Sequence, residues 1–321
     1  MQRAPGKSHR DGVSLLRLLA MFPTEERAQA WFESIRWEGK RTCARCGSAR
    51  TRPVKSGKPM PYWCTEGRHY FSVRTGTVLE TSNVSLRKWA IAIYLCLTSL
   101  KSVSSMKLHR DIGVSQKTAW FMLHRIKEAW MDDHSGPFSG PVEVDETYVG
   151  GSDRNRHRKD RKGITGGSGK TAVVGVKDRP TNEVRAEVVT DVHRLSLRTF
   201  VRQHVEAGAT LYTDQSAAYK GSWGYDNHAV NHSVGEYVRG MVTTNGVESF
   251  WSMLKRAHKG TFHKISPKHL QRYVSEFAAK HNIREAGTLT QMDDTVLRLV
   301  GRRLLYRDLI ADNGLPSFAR S

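Results

Sequence analysis

The chain has 321 residues, 38% of them hydrophobic, which is enough for one medium domain and one or two small ones. Its formal net charge of +20 implies a polyanionic partner: nucleic acid first, an anionic membrane surface second, with a ribosomal or merely soluble basic protein as the plain alternative. No run approaches the roughly 20 apolar residues that span a bilayer; residues 13–22 are apolar but interrupted by Arg17 and lead to no small-residue cleavage site, so neither a membrane span nor secretion is expected.

Residues 24–36, TEERAQAWFESIR, predict a helix. Thr24 can cap it, Glu25 and Glu26 suit its positive end, and Ala28, Trp31, Phe32 and Ile35 share one side. CARCGS at 43–48 follows, then a basic Gly/Pro-rich stretch and PYWCTEGRHYFSVRTGT at 61–77. Residues 85–99 predict a strongly apolar helix in which Cys96 is a small buried side chain. With Cys43, Cys46 and Cys64 this makes four cysteines, too few for a disulfide scaffold of this length, and points to a reducing, cytoplasmic compartment. Residues 103–131 predict two more helices, with Gly113 at the turn and Ser115 capping the second.

The linker at 132–141 marks a change of pattern. Val142 and Val144 alternate with Glu143 and Asp145, which predicts a strand. Residues 150–170 are Gly-rich and carry Arg154, Arg156, Arg158, Lys159, Arg161 and Lys162. TAVVGV at 171–176 and VRAEVVT at 184–190 predict paired strands around a turn at 180–182. A helix is expected from near Ser196 to Gly208, a strand at 209–213, and a weaker strand at 228–232. Helices over about 245–258 and 267–282 and a helical tail complete the chain. The second part is therefore an α/β layer structure, with no internal repeats.

Three acids stand out. Asp145 is on a predicted strand, Asp214 lies just past the end of another, and Glu248 is near a helix start. Acids at strand ends can converge in an α/β sheet. Mg²⁺ and Mn²⁺ prefer such hard oxygen ligands, and two ions about 4 Å apart can serve an in-line phosphoryl displacement. Each acid has a plainer role open to it. Asp145 can be an ordinary strand residue, with Glu143 and Glu146 nearby. Asp214 can cap a following helix through the amides near Ala217, and Glu248 stands at the capping-box spacing from Asn245. Lys255 follows Glu248 by two helical turns, either as a phosphate ligand or as a solvated lysine.

VEVDETYVGG (142–151), LYTDQSAAY (211–219) and TTNGVESFWSMLKRAHKGTFH (243–263) together resemble bacterial insertion-sequence transposases of the DDE type. CARCGS, FSVRTGT (71–77), VSQKTAWFMLHRIK (114–127) and PKHLQRYVSEFAAKHN (267–282) are similar to other parts of that family, in the same order. The resemblance implies an RNase H-like α/β catalytic domain, a mixed sheet flanked by helices, preceded by a small zinc ribbon and a helical helix-turn-helix domain. It implies that Asp145, Asp214 and Glu248 hold Mg²⁺ or Mn²⁺, with Lys255 as companion. The implied reaction is cleavage at the element's ends by water, then attack of the freed 3′-hydroxyl on target DNA. Two ends held together imply a homodimer or larger assembly. Asn245 and His232 also match the family's look; His232 is either near the metals or simply packed.

The expected divisions are a helical segment at 1–40, a ribbon at 41–80, the helix-turn-helix at 81–135, the catalytic domain at 140–285 and a helical tail at 286–321. Cys43-x₂-Cys46 is half of a zinc site and Cys64 a third ligand. Gly67 stands where the family pattern places a fourth cysteine, which leaves His69 as the nearest candidate, or else two unbound thiols in a hairpin held by Trp63, Tyr70 and Phe71. In the helix-turn-helix, Gln116, Lys117 and Thr118 are the candidate DNA contacts. The cluster from Arg154 to Lys162 is expected to meet the DNA backbone, or to be a solvated loop that orders on DNA. A DNA-binding regulator without chemistry, and a related nuclease that cuts without joining, are the competing functions.

Overall fold

Most helices of the first unit begin where the sequence supplies a hydroxyl cap. The computed structural model describes residues 2–3, 10–131, 136–150, 169–214, 218–221, 223–230 and 243–315. Two compact units make up the chain, Met1–Met131 with Arg284–Ala311, and Asp132–Ile283 with Asp312–Ser321. No helix among the described residues is long and apolar enough to cross a membrane.

The first unit opens with a short antiparallel pair, β1 (Gln2–Arg3) and β2 (Asp11–Gly12), then α1 (Leu15–Met21) and α2 (Glu25–Trp37). The Thr24 hydroxyl accepts from Arg27 N at the start of α2, as expected of a cap. A three-stranded antiparallel sheet follows: β3 (Thr51–Pro53), β4 (Tyr62–Cys64) and β5 (His69–Phe71). Trp37 packs edge-on against both Tyr62 and Phe71, which ties this small sheet to α2. Then come α3 (Leu86–Thr98), α4 (Ser105–Ile112) and α5 (Gln116–Glu128), capped by Ser85, Ser104 and Ser115. Cys96 is buried within α3. Gly113 ends α4 with φ of 61°, a left-handed conformation that glycine adopts without a Cβ penalty.

The FSVRTGT segment is a hydrogen-bonded knuckle. Thr77 Oγ1 donates to Arg74 O and accepts from Leu79 N, and Arg74 donates to the carbonyls of Ser82 and Val84. Arg74 also pairs with Glu25, whose carboxylate accepts the Leu86 and Arg87 N–H groups at the start of α3. One acid thus satisfies orphan donors of a helix distant in sequence.

The second unit is built on one mixed sheet. Its strands are β6 (Val142–Val149), β7 (Thr171–Asp178), β8 (Val184–Val189), β9 (Thr210–Asp214) and β10 (Asp226–Val230). Their spatial order is β10-β9-β6-β7-β8; β6, β7 and β8 pair antiparallel, while β9 runs parallel to both β6 and β10. Between β8 and β9 lies α6 (Arg194–His204), and after β10 come α7 (Asn245–Ala257), a π-turn at His258–Phe262, and α8 (Pro267–Asn282). One face of the sheet packs Val142, Val144, Val174 and Val176 against Leu197, Phe200 and Val201 of α6. The other packs Val149, Val173 and Val184 against Val247, Trp251 and Leu254 of α7 and Leu270, Val274 and Phe277 of α8. The sheet is therefore flanked by helices on both faces, which both apolar sides of its strands require.

Three expected boundaries shift. The helix α6 starts at Arg194 with His193 as its N-cap, because Asp191 collects His193 N and the Ser196 hydroxyl and turns the chain two residues early. It stops at His204 rather than Gly208, because Val205 becomes extended and bridges Phe138. Asp214 is the last residue of β9, not a residue beyond it.

The edge strand β8 is closed off by side chains. Asn282 accepts from Val184 N at 2.8 Å and donates to Val184 O at 3.0 Å; Gln271 accepts from Val188 N at 2.7 Å and donates to Ala186 O at 3.1 Å. Amides of α8 thus take the ladder groups that another strand would otherwise pair with. The chain then returns to the first unit with α9 (Thr288–Arg298) and α10 (Tyr306–Ile310). There Val300 bridges Thr77, and Tyr306 stacks edge-on against Trp120 and Phe121 of α5.

Candidate functional site

The register of the sheet assembles the acids. The β6–β9 ladder pairs Val142 with Leu211 and Glu143 with Tyr212; the same offset brings Asp145 level with Asp214 just beyond the last pair. Carboxylate oxygens of Asp145, Glu146 and Asp214 lie within 4.8 Å of one another. Glu146 follows Asp145 and so leaves the opposite face of β6, where the buried Tyr219 donates its hydroxyl hydrogen to Glu146 Oε1. Pairing with β9 has ended by that point, and carboxylates from both faces of β6 reach Asp214.

This crowding is visible in the acidities. Burial, followed by the charges of Asp214 and Glu248, pushes the Asp145 carboxyl up to about 6, against hydrogen bonds from Glu146 N and Trp251. Burial also raises Glu146, to about 7, with Asp214 and Asp145 adding to the rise and the Tyr219 bond opposing it. Tyr219 is held well above the usual phenol range by burial and by Glu146. Groups this reluctant to ionise side by side form a site that a cation relieves.

Glu248, on α7, is not one of the three acids of that close group, but it contributes to the field at Asp145, and its Oε1 accepts from Thr244 Oγ1 at 2.9 Å. The capping box expected as its plainer role does not form: Thr244, not Asn245, is the N-cap, so Glu248 stands one residue too far into the helix. Lys255 is exposed on the same helix, and Asn245 is its exposed first residue. Asn245 N donates to Thr243 Oγ1. His232, Ala217 and the cluster Arg154, Arg156, Arg158, Lys159, Arg161 and Lys162 lie outside the described residues.

The start of α7 is docked by a buried acid. Glu143, 4% exposed, accepts from Val247 N at 3.0 Å and pairs with Arg179 at 2.9 Å, while Arg179 donates to Thr243 O. A Cβ on Gly246 would come within 2.6 Å of Glu143 Oε2 and 2.7 Å of Lys177 Nζ, so a glycine is needed for this approach. The alternation of strand residues marks Glu143 only as a polar neighbour; its burial follows from the helix it anchors.

A second cluster gathers sulfur and nitrogen. Cys43 Sγ lies 3.0 Å from His69 Nε2, Cys46 Sγ lies 3.6 Å from Cys64 Sγ, and Cys43, Cys64 and His69 form a mutually close group. Gly67 does not merely lack the expected thiol. A Cβ there would come within 2.3 and 2.7 Å of the His69 ring, so the imidazole takes the room that a cysteine would need. His69 Nδ1 donates to Gly67 O at 2.7 Å, which leaves Nε2 as the ring nitrogen that could bind a metal. Burial pushes the Cys43 thiol up, but bonds from Arg45 N and Cys46 N, and contacts with His69 and Cys46, outweigh it and bring it to about 6. Trp63 and Tyr70 pack edge-on beside it, and Phe71 is buried.

In the hairpin of α4 and α5, the three predicted contact residues sit at the start of α5. Gln116 donates to Ser105 Oγ, Thr118 Oγ1 meets Ser115 Oγ, and Lys117 Nζ lies 4.6 Å above the Tyr306 ring. Gln116 and Lys117 are exposed.

Residues 137–282 match the family model of the ISXO2-like transposase domain. Over 278 residues the chain is also 30% identical to a protein of Halobacterium salinarum described as an uncharacterized protein in transposable element ISH50, covering 82% of this chain and 92% of that one. The match spans the whole mixed sheet and α7, and the relative extends it through most of the first unit: the chain belongs to the insertion-sequence transposases with an ISXO2-like transposase domain.

Proposed function

We propose that this transposase binds the ends of its insertion sequence, cleaves them by metal-assisted hydrolysis, and joins the 3′-hydroxyl ends to target DNA by transesterification. The observation that carries the reading is the placement of Asp145 level with Asp214 on adjacent parallel strands, with Glu146 in the same cluster. The donor set is all carboxylate oxygen, which suits Mg²⁺ or Mn²⁺. Asp145, Asp214 and Glu248 would hold the ions, which when bound polarise the scissile phosphate and lower the acidity barrier of the attacking oxygen.

The chain's own residues do the rest. Glu143 and Arg179 fix the start of α7, and so the approach of Glu248. Lys255, two turns further along, would hold a DNA phosphate, a role its exposure supports. The mixed sheet flanked by helices fits the RNase H-like fold that the motifs imply.

The first unit supplies DNA binding in this reading. Its small sheet is a ribbon whose zinc ligands are Cys43, Cys46, Cys64 and His69, a Cys₃His set supported by the room His69 takes beside Gly67. The α4–α5 hairpin is a helix-turn-helix, with Gln116 and Lys117 available at the exposed start of α5 and Thr118 beside them. Asn245 and the cluster at 154–162 add DNA contacts, and a homodimer or larger assembly holds the two ends. In this reading 1–40, 41–80 and 81–135 are the helical segment, ribbon and helix-turn-helix, 140–285 is the catalytic domain, and 286–321 is a helical tail most of which packs within the first unit.

The test is a reaction of the purified protein with a supercoiled target and a 3′-hydroxyl donor carrying the element's ends, in Mg²⁺ or Mn²⁺. Strand-transfer products that vanish in Asp145→Ala, Asp214→Ala and Glu248→Ala support the reading. Binding without cleavage points to a regulator, and cleavage without joining to a nuclease.

A further inference from the structure

Trp251 stands three residues after Glu248 on α7 and is 3% exposed. Its Nε1–H donates to Asp145 Oδ2 at 3.0 Å. An indole has one donor and no acceptor, so this contact holds the carboxylate in one orientation and cannot be reversed. The ring is seated by a second feature of the strands. A Cβ on Gly175 would come within 2.6 Å of Trp251 Cζ2 and 2.7 Å of Cη2. Gly175 is the β7 register partner of Asp145, and its φ is not positive, so glycine serves here to leave space rather than to bend the chain. The strand pair that carries Asp145 therefore also holds the slot for the group that orients it.

We propose that Trp251 is a positioning residue of the catalytic site: its N–H fixes the Asp145 carboxylate for the divalent cation and couples it to the helix that brings Glu248. The inference rests on Asp145 being a metal ligand. A packed tryptophan needs only its apolar rings, and Phe250 and Leu254 already give α7 its grip on the sheet. The polar tip is aimed at a carboxylate proposed to hold the ion. Partners that orient a ligand typically change metal affinity by about 10–100-fold when removed.

The experiment replaces Trp251 in the full-length chain with benzothienylalanine, which keeps the ring shape and lacks the N–H. Mn²⁺ binding without DNA is read from the free-ion electron paramagnetic resonance signal, beside the Mn²⁺ concentration that half-saturates end cleavage and the rate at saturation. The expected result is Mn²⁺ binding weaker by about 10–100-fold, with an unchanged melting temperature. Asp145→Ala is the reference arm. If it leaves Mn²⁺ binding unchanged, the ligand role of Asp145 and the role of Trp251 both fall. If it weakens binding while the benzothienyl protein binds as wild type, only the role of Trp251 falls. The wild-type protein supplies a second measurement that needs no isostere. Its Trp251 indole N–H resonance, identified by its loss in Trp251→Phe, is expected to move on Mg²⁺ titration with the midpoint of ion binding, and a resonance that stays fixed overturns the proposal.

Discussion

The two candidate metal sites draw on opposite parts of the chain's physics. The thiol–imidazole cluster of the first unit comes from residues 43–69, around one short antiparallel sheet, and its donors lie close because the chain between them is short. The carboxylate cluster of the second unit comes from β6 and β9, brought together by sheet register, with Glu248 of α7 near enough to add to the field at Asp145. Their acidities diverge accordingly. Cys43 is held below its ordinary value by local N–H groups that outweigh its burial, whereas Asp145 and Glu146 are raised by burial and by one another. In the first cluster Cys43 is the thiol that sheds its proton readily, while Cys43 and Cys64 push their neighbour Cys46 up; in the second, both acids resist ionising until a cation arrives.

The largest expected effect separates chemistry from fold. Asp145→Ala and Asp214→Ala should each reduce strand transfer by about 10³-fold or more, since several kcal/mol of charge stabilisation is at stake. Their circular dichroism and melting should match or exceed wild type. A melting temperature that falls with activity would place these acids in the fold rather than the chemistry.

The thiol site should behave in the reverse way. Cys64→Ser is expected to lose bound zinc and to open the β3–β5 sheet, seen as lost amide protection in hydrogen exchange over 51–71. Gly67→Ala is a finer probe. Its Cβ collides with the His69 ring, and zinc affinity should fall by about 10-fold or more, measured against a chromogenic chelator. Full zinc binding by Gly67→Ala would show that His69 is not a ligand.

Opposite acidities give opposite pH responses in metal-free protein. The raised pKa values of Asp145 and Glu146 mean that the folded state keeps these protons longer than the unfolded one. The site therefore loses stability as pH rises through about 6 to 7. Asp145→Asn should then melt closest to wild type below about pH 4, gain on it as pH rises, and stand several degrees above it at pH 8, with Mg²⁺ raising the wild type at pH 8. The lowered thiol of Cys43 contributes stability present above its unfolded value and lost as pH falls through about 6. Cys43→Ser should thus cost stability at pH 9 and little at pH 5.5. Parallel pH profiles for the two variants would remove the contrast.

The smallest effect tests the edge of the sheet. Gln271→Ala strands Val188 N and Ala186 O and should cost about 1–3 kcal/mol, with an increased tendency to aggregate on warming seen by light scattering.

Much of this was legible in the sequence. Thr24 and Ser115 cap the helices they precede, and the half-site Cys43-x₂-Cys46 lies close to Cys64 and His69 of one small sheet. These features depend on neighbours in the chain, and local spacing specifies them. The family motifs likewise mark Asp145, Asp214 and Glu248 as a set. The tertiary structure decided what strand alternation cannot express: that Glu146 joins the acids from the other face, that Glu143 is buried as the anchor of α7, and that Trp251 faces Asp145 through the space left at Gly175. It also decided that 284–311 belongs with the first unit. Register, helix docking and the return of a tail are set by which apolar faces meet. That choice is made by the whole core at once, and no window of the sequence contains it.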